Sequence, residues 1–136
     1  MSGPAKPSSR LICDLPCDLI NRTLGTDLES GKVLLSRAAQ KHASKRHPTD
    51  YPLCLPHLAT VISSPLYIGD DYKNAGIELI TRVAALGEFV LVAVNLEADE
   101  SGHYHIASFY IISEKRIQGR REKGFLRVAV KETVKA

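Results

Sequence analysis

The sequence predicts an α+β fold in which N-terminal helices pack on an antiparallel four-stranded sheet. Apolar residues recur at helical spacing in the first half of the chain. In the second half they alternate, or run continuously with many β-branched residues, as strands do. Helices followed by strands, rather than strictly alternating with them, belong to the α+β class. The 136 residues, 44% hydrophobic and 24% charged, suit one core of ordinary globular composition.

Residues 1–10 are rich in Pro, Ser and Gly and are expected to form a disordered leader, which leaves 11–136 as a single domain. Leu11, Ile12, Leu15, Leu19 and Ile20 make a short apolar stretch broken by Pro16, read as either a short helix or an irregular packed segment. Gly25 and Gly31 bracket a turn, in which Thr26 and Glu29 have the spacing of a capping box and Ser30 is a second candidate N-cap. Residues 32–46 predict a helix with Leu34, Leu35, Ala38, Ala39, His42 and Ala43 in one stripe. Arg37, Lys41 and Lys45 line up along another face of it. Pro48 disfavours the α conformation at His47 and ends the helix there. Residues 50–63 predict a second helix with Leu55, Leu58, Val61 and Ile62 on its core face, Pro52 in its first turn and Pro56 as a candidate break.

After Ser64–Pro65 the period changes. Leu66–Gly69 predicts a short strand, and Ile77–Val83 a second with Ile77, Leu79, Thr81 and Val83 on one face. Glu88–Leu96 is Val-rich and nearly continuous, as expected of a strand covered on both faces. A polar turn, 97–102, leads to a strand at His103–Ile112. Simple alternation puts Tyr104, Ser108 and Tyr110 on one face of that strand. From Ser113 the chain is polar and basic, with Phe125–Val130 as either a final strand or a docking strip.

Charge is unevenly spread. Residues 1–64 carry a net +3, residues 65–112 a net −5 and residues 113–136 a net +5. Lys32–His47 holds five basic residues and no acid, and Lys115–Arg127 holds six against Glu122 alone. Two basic segments of this kind suit an anionic partner. No apolar run approaches the length that spans a membrane, and no apolar segment follows a basic start, so neither a membrane nor a secreted setting is expected; a cytoplasmic one is. Cys13, Cys17 and Cys54 read as free thiols, because Cys13 and Cys17 lack the second close pair that a zinc site requires. Nucleotide binding through Gly25 and Gly31–Lys32 fails on spacing, and Val33 stands where a hydroxyl must reach magnesium. His103 and His105 point to one face of their strand, but no third ligand is evident, so no metal is expected.

The segment Gly31–Lys32–Val33–Leu34–Leu35–Ser36, the helix end Lys45–Arg46–His47–Pro48, the Ser64–Pro65–Leu66–Tyr67–Ile68 junction, the strand Phe89–Val94 and the run Ile106–Ala107–Ser108–Phe109–Tyr110 occur in that order. In this ordering, over about residues 25–118, the chain resembles the phage-borne barnase–EndoU–colicin–RelE-like (BECR) nucleases. The resemblance implies a barnase-like RNase fold and metal-independent cleavage of RNA without a cofactor. In that reaction a base activates the 2′-OH, cations stabilise the phosphorane, and an acid protonates the leaving 5′-oxygen. It implies His47 as proton-transfer group or phosphate ligand, with Ser108 and Tyr110 orienting phosphate or ribose. Lys41, Lys45 and Arg46, with Arg37 on the same helix, would hold backbone phosphates. Arg82 is a candidate for transition-state support on chemical grounds alone. No carboxylate stands out as the general base, and alternation places His105 opposite Ser108 unless a bulge intervenes. The implied partners are RNA, transfer RNA among the candidates, and an antitoxin or immunity protein. The competing readings are a non-catalytic nucleic-acid-binding module and a structural protein of a phage or mobile element with an RNase-like fold.

Overall fold

A computed structural model describes residues 9–71 and 75–130. The chain enters as a strand, β1 (Arg10–Asp14), turns at Pro16 into α1 (Cys17–Leu24), and continues through a loop to β2 (Lys32–Leu35) and α2 (Arg37–Arg46). A short helix, α3 (Asp50–Cys54), a 3-10 turn at Leu55–His57 and α4 (Leu58–Ser63) complete the first half. The second half is β3 (Tyr67–Asp71), β4 (Gly76–Val83), β5 (Glu88–Asn95), β6 (Tyr104–Ile112), α5 (Glu114–Glu122) and β7 (Leu126–Val128). Of the expected leader, residues 1–8 lie outside the described residues, while Arg10 belongs to β1.

The class is α+β, but the sheet is larger than expected and is mixed. Among the described residues seven strands lie in the order β1-β2-β6-β5-β4-β3-β7, and β2 runs parallel to β6. The additional strands come from both ends of the chain. The expected single helix over 32–46 is two elements. Val33 and Leu35 are fully buried and Leu34 less so, a period-two pattern, and these residues pair with β1 on one side and β6 on the other. The helix proper starts after Ser36, whose side chain accepts the Ala39 N–H at 3.0 Å. Helical spacing of Leu34 and Leu35 with Ala38 and Ala39 was thus compatible with both structures, and strand partners distant in sequence decided between them. Neither Thr26 nor Ser30 caps a helix. Thr26 instead donates to Asn21 Oδ1, which also receives the Leu28 N–H, so Asn21 shapes the loop that leads to β2. Pro56 divides the second predicted helix as anticipated, the 3-10 turn lying between α3 and α4.

The principal core lies between the sheet and the helices. Ile20 of α1, Ala43 of α2, Cys54 of α3 and Val61 and Ile62 of α4 pack with Ile77, Leu79, Val90, Val92 and Phe109 of the sheet. The opposite face is not bare. Ile117 of α5 and Leu126 of β7 form a second cluster with Ile80, Leu91 and Ile112, so the basic C-terminal segment folds back over part of the sheet. An ion pair between Arg120 of α5 and Glu78 of β4 adds a polar tie to this docking. On this second face Ala93, Asn95, His105, Ser108 and Tyr110, along β5 and β6, are only half-buried.

Strand β6 contains the irregularity that arranges this face. Ser108 pairs with Ala93 and Ile106 with Val94, which leaves Ala107 as an extra residue. Such a bulge shifts alternation by one. Tyr104 and Ile106 consequently face the principal core with Phe109. His105, opposite Asn95, shares the other face with Ser108 and Tyr110. The simple alternation of Tyr104 with Ser108 and Tyr110 does not hold: Tyr104 is buried, and its hydroxyl donates to the Glu29 carbonyl at 2.6 Å.

Candidate active site

The candidate site is built where β6 loses its strand partner. β2 pairs with β6 only at Val33–Tyr104 and Leu34–His105, and the chain then becomes α2, which runs on beside the rest of β6. Edge groups of β6 beyond that point need other partners. Asp50, the first residue of α3, supplies one: its Oδ2 accepts the Ile111 N–H at 3.1 Å.

His47 is the C-cap of α2. Its N–H donates to the Ala43 carbonyl at 2.9 Å, and its own carbonyl accepts the Tyr51 N–H at 2.8 Å, so the backbone is fixed from both helices. Its ring stacks on Tyr110, with centroids 4.8 Å apart and planes inclined by 29°. The tilt and separation are those of a favourable offset ring pair. Tyr51 in turn packs on Phe109, the core-facing neighbour of Tyr110. The histidine at the helix end is therefore held to the bulged strand by ring contacts and to α3 by its backbone.

Around this pair lies a cleft of about 600 Å³. His42 and Arg46 reach it from α2, one turn apart, and Asp50 from α3. Ser108, Tyr110 and Ile111 form its floor on β6, and Arg116 closes it from the first turn of α5. The Ser113 hydroxyl caps that turn by accepting the Arg116 N–H at 3.3 Å. The cleft thus brings together two imidazoles, two guanidiniums, one carboxylate and two hydroxyls. These are groups that transfer protons near neutral pH and that stabilise charge developing on a phosphate.

Of the residues singled out from sequence, His47, Arg46, Ser108 and Tyr110 line this cleft. Arg82 does not. It is exposed on β4, paired with Phe89, and two strands from β6, roughly 10 Å across the sheet. Arg37, Lys41 and Lys45 are exposed on α2 and do not line the cleft, because that row lies about 100° around the helix from His42 and Arg46. Four lining residues lie outside those expectations: His42, Asp50, Ile111 and Arg116. His42 falls in the apolar stripe read from the sequence, although His42 and Arg46 sit at i, i+4. Asp50 and Arg116 carry no sequence signal as site residues, since each is brought in by a separate element.

On the same face, farther along β6, His105 Nε2 lies 2.8 Å from Asp99 Oδ2. Asp99 also accepts the N–H groups of Ser101 and His103 through Oδ1, at 2.9 and 3.0 Å. Hydrogen bonds from the His103 N–H and the His105 ring hold the Asp99 carboxyl down at about 2. Among the described residues no group of three or more His, Cys, Asp or Glu is arranged to hold a metal ion. No helix among them is long and apolar enough to cross a membrane. All three cysteines are free, as expected, and burial pushes the Cys54 thiol up to about 12.

A family model described as phage-Barnase-EndoU-ColicinE5/D-RelE like nuclease 3 matches residues 14–119, well over half of the chain. The chain belongs to this nuclease family. The match runs from the end of β1 into α5 and so includes every residue that lines the cleft. No curated protein and no solved structure matches the chain.

Proposed function

We propose that this member of the nuclease family cleaves RNA in the cleft between α2, β6 and α5, by attack of a ribose 2′-OH on the adjacent phosphodiester. The observation that carries the reading is the stacking of His47 on Tyr110 inside a cleft that also holds His42, Asp50, Arg46 and Arg116. A proton acceptor, either Asp50 or one imidazole, removes the 2′-OH proton as the oxygen bonds to phosphorus. The other imidazole gives a proton to the 5′-oxygen as its bond to phosphorus breaks. The products are a 2′,3′-cyclic phosphate and a free 5′-hydroxyl. Arg46 and Arg116 face the phosphate from opposite walls and take up charge on its non-bridging oxygens. Ser108 and the Tyr110 hydroxyl orient the ribose or phosphate. All the groups this reaction requires are side chains, so the proposed chemistry needs neither metal nor cofactor.

The exposed row of Arg37, Lys41 and Lys45 continues the positive surface along α2 and suits flanking phosphates of the RNA. That row would also serve a module that binds nucleic acid without cutting it. Cleavage of total RNA and transfer RNA in EDTA, by wild type and by His47→Ala and Ser108→Ala, separates the two. Cleavage in chelator that is lost on His47→Ala and reduced on Ser108→Ala supports the nuclease. Salt-sensitive binding without cleavage favours the binding module. A toxic RNase further implies an antitoxin or immunity protein in the producing cell, and co-expression with neighbouring genes tests for one.

A further inference from the structure

We infer that the imidazole of His105, held by Asp99 on the accessible stretch of β6, stacks a second nucleobase of single-stranded RNA, one nucleotide along from the one bound in the cleft. The inference rests on the RNA reading of the cleft. It begins with the bulge at Ala107, which turns His105 onto the face of Ser108 and Tyr110. Between Ser108 and His105 the partner strand advances only from Ala93 to Asn95, so the two side chains stand about 7 Å apart along the sheet. That separation is on the scale of a single nucleotide step. A chain laid along β6 with one phosphate in the cleft therefore passes over His105.

The surroundings of His105 select a base rather than a phosphate. The Asp99 carboxylate sits against its Nε2, and Glu97 and Glu100 are exposed in the same turn. This local negative charge repels a phosphate, whereas every nucleobase offers a neutral π face to an imidazole. Asp99 is itself fixed by two backbone N–H groups, so the ring is held in place before a ligand arrives. The ring remains about one-third exposed. Directly across the ladder, Asn95 Oδ1 is engaged by the Glu97 N–H, which leaves the Asn95 amide nitrogen as a donor towards a base carbonyl.

The test uses the full chain labelled with ¹⁵N in its histidines and two 2′-O-methylated RNA ligands, which cannot be cut by 2′-OH attack: a nucleoside 3′-monophosphate, which fills the cleft alone, and a tetranucleotide. The monophosphate is expected to shift the ring signals of His47 and His42 alone. The tetranucleotide should also shift His105. His105→Ala is expected to weaken tetranucleotide binding about tenfold while leaving monophosphate binding unchanged, and His105→Phe, which keeps a stacking face, should restore most of the loss. A silent His105 in the presence of a tetranucleotide that shifts His47 overturns the inference and leaves the cleft reading intact. Equal weakening of both ligands by His105→Ala also overturns it, because His105 then belongs to the cleft itself. If neither ligand shifts His47 or His105, the RNA reading of the cleft fails and the second subsite fails with it.

Discussion

The Asp50 carboxylate accepts the Ile111 N–H at 3.1 Å, joining the start of α3 to the edge of β6 where β2 no longer reaches. This bond ties the segment that carries His47 to the strand that carries Ser108 and Tyr110. Asp50→Ala leaves a half-buried strand N–H without its partner and is expected to cost about 1–3 kcal/mol of stability. Asp50→Asn keeps an acceptor oxygen and should recover most of that loss. If Asp50 is also the proton acceptor, Asp50→Asn restores stability without restoring cleavage. Denaturant unfolding read beside an RNA cleavage assay tests both statements.

Tyr110 lines the cleft and its ring supports His47, so two substitutions divide the roles of ring and hydroxyl. Tyr110→Phe retains the stacked pair and is expected to lower kcat only if the hydroxyl contacts substrate. Tyr110→Ala removes the surface on which the His47 ring rests, and should reduce cleavage by about 100-fold or more through misplacement of the imidazole. Comparable activity in Tyr110→Ala and wild type would remove His47 from the proposed chemistry.

Arg116 and Arg82 make a direct comparison between a cleft residue and one outside it. Arg116→Ala is expected to lower kcat/KM by about 100-fold, the scale for loss of a charged group that stabilises a transition state. Arg82→Ala should change it by less than about threefold, since Arg82 lies two strands away. Steady-state cleavage of one short RNA by both variants decides the matter. A large effect at Arg82 with none at Arg116 would place the phosphate elsewhere on the sheet.

Gly31 precedes β2 and sits close against the 97–103 turn. A Cβ at this position would lie 2.5 Å from the Gly102 carbonyl oxygen and 2.9 Å from the ring of Tyr104. Backbone on one side and a buried ring on the other cannot both withdraw. Gly31→Ala is therefore expected to destabilise the fold by about 1–3 kcal/mol, seen as a lower denaturation midpoint.

The Asp99 carboxyl, held at about 2 against an ordinary 3.8, stabilises the 97–103 turn in its charged form. Because the folded value is the lower one, this contribution is complete above pH 3.8 and is lost as pH falls towards 2. Protection of the Ser101 and His103 amides, taken relative to the unfolded exchange rate at each pH, should fall over that window in wild type. Asp99→Ala, which has no acceptor, should lack that protection already at pH 6, with little further change on acidification.

Periodicity in the chain was enough for the α+β class, for β4, β5 and most of β6, and for the end of α2 at His47, because these depend on local alternation, on β-branched content and on the steric effect of Pro48. The ordered segments from Gly31–Ser36 to Ile106–Tyr110 likewise carried the nuclease family, and two of them, Lys45–Pro48 and Ile106–Tyr110, supply two sides of the candidate cleft. Tertiary structure decided what local pattern leaves degenerate. Val33–Leu35 became a strand because β1 and β6, distant in sequence, offered a ladder on each side. The face of His105 was set by one extra residue at Ala107, which no periodicity reveals, since a bulge is visible only against the partner strand. Asp50 and Arg116 joined the cleft because α3 covers the open edge of β6 and Ile117 anchors α5 over its face. A binding cleft is assembled by contacts between elements, and the free energy of those contacts depends on neighbours that sequence order does not specify.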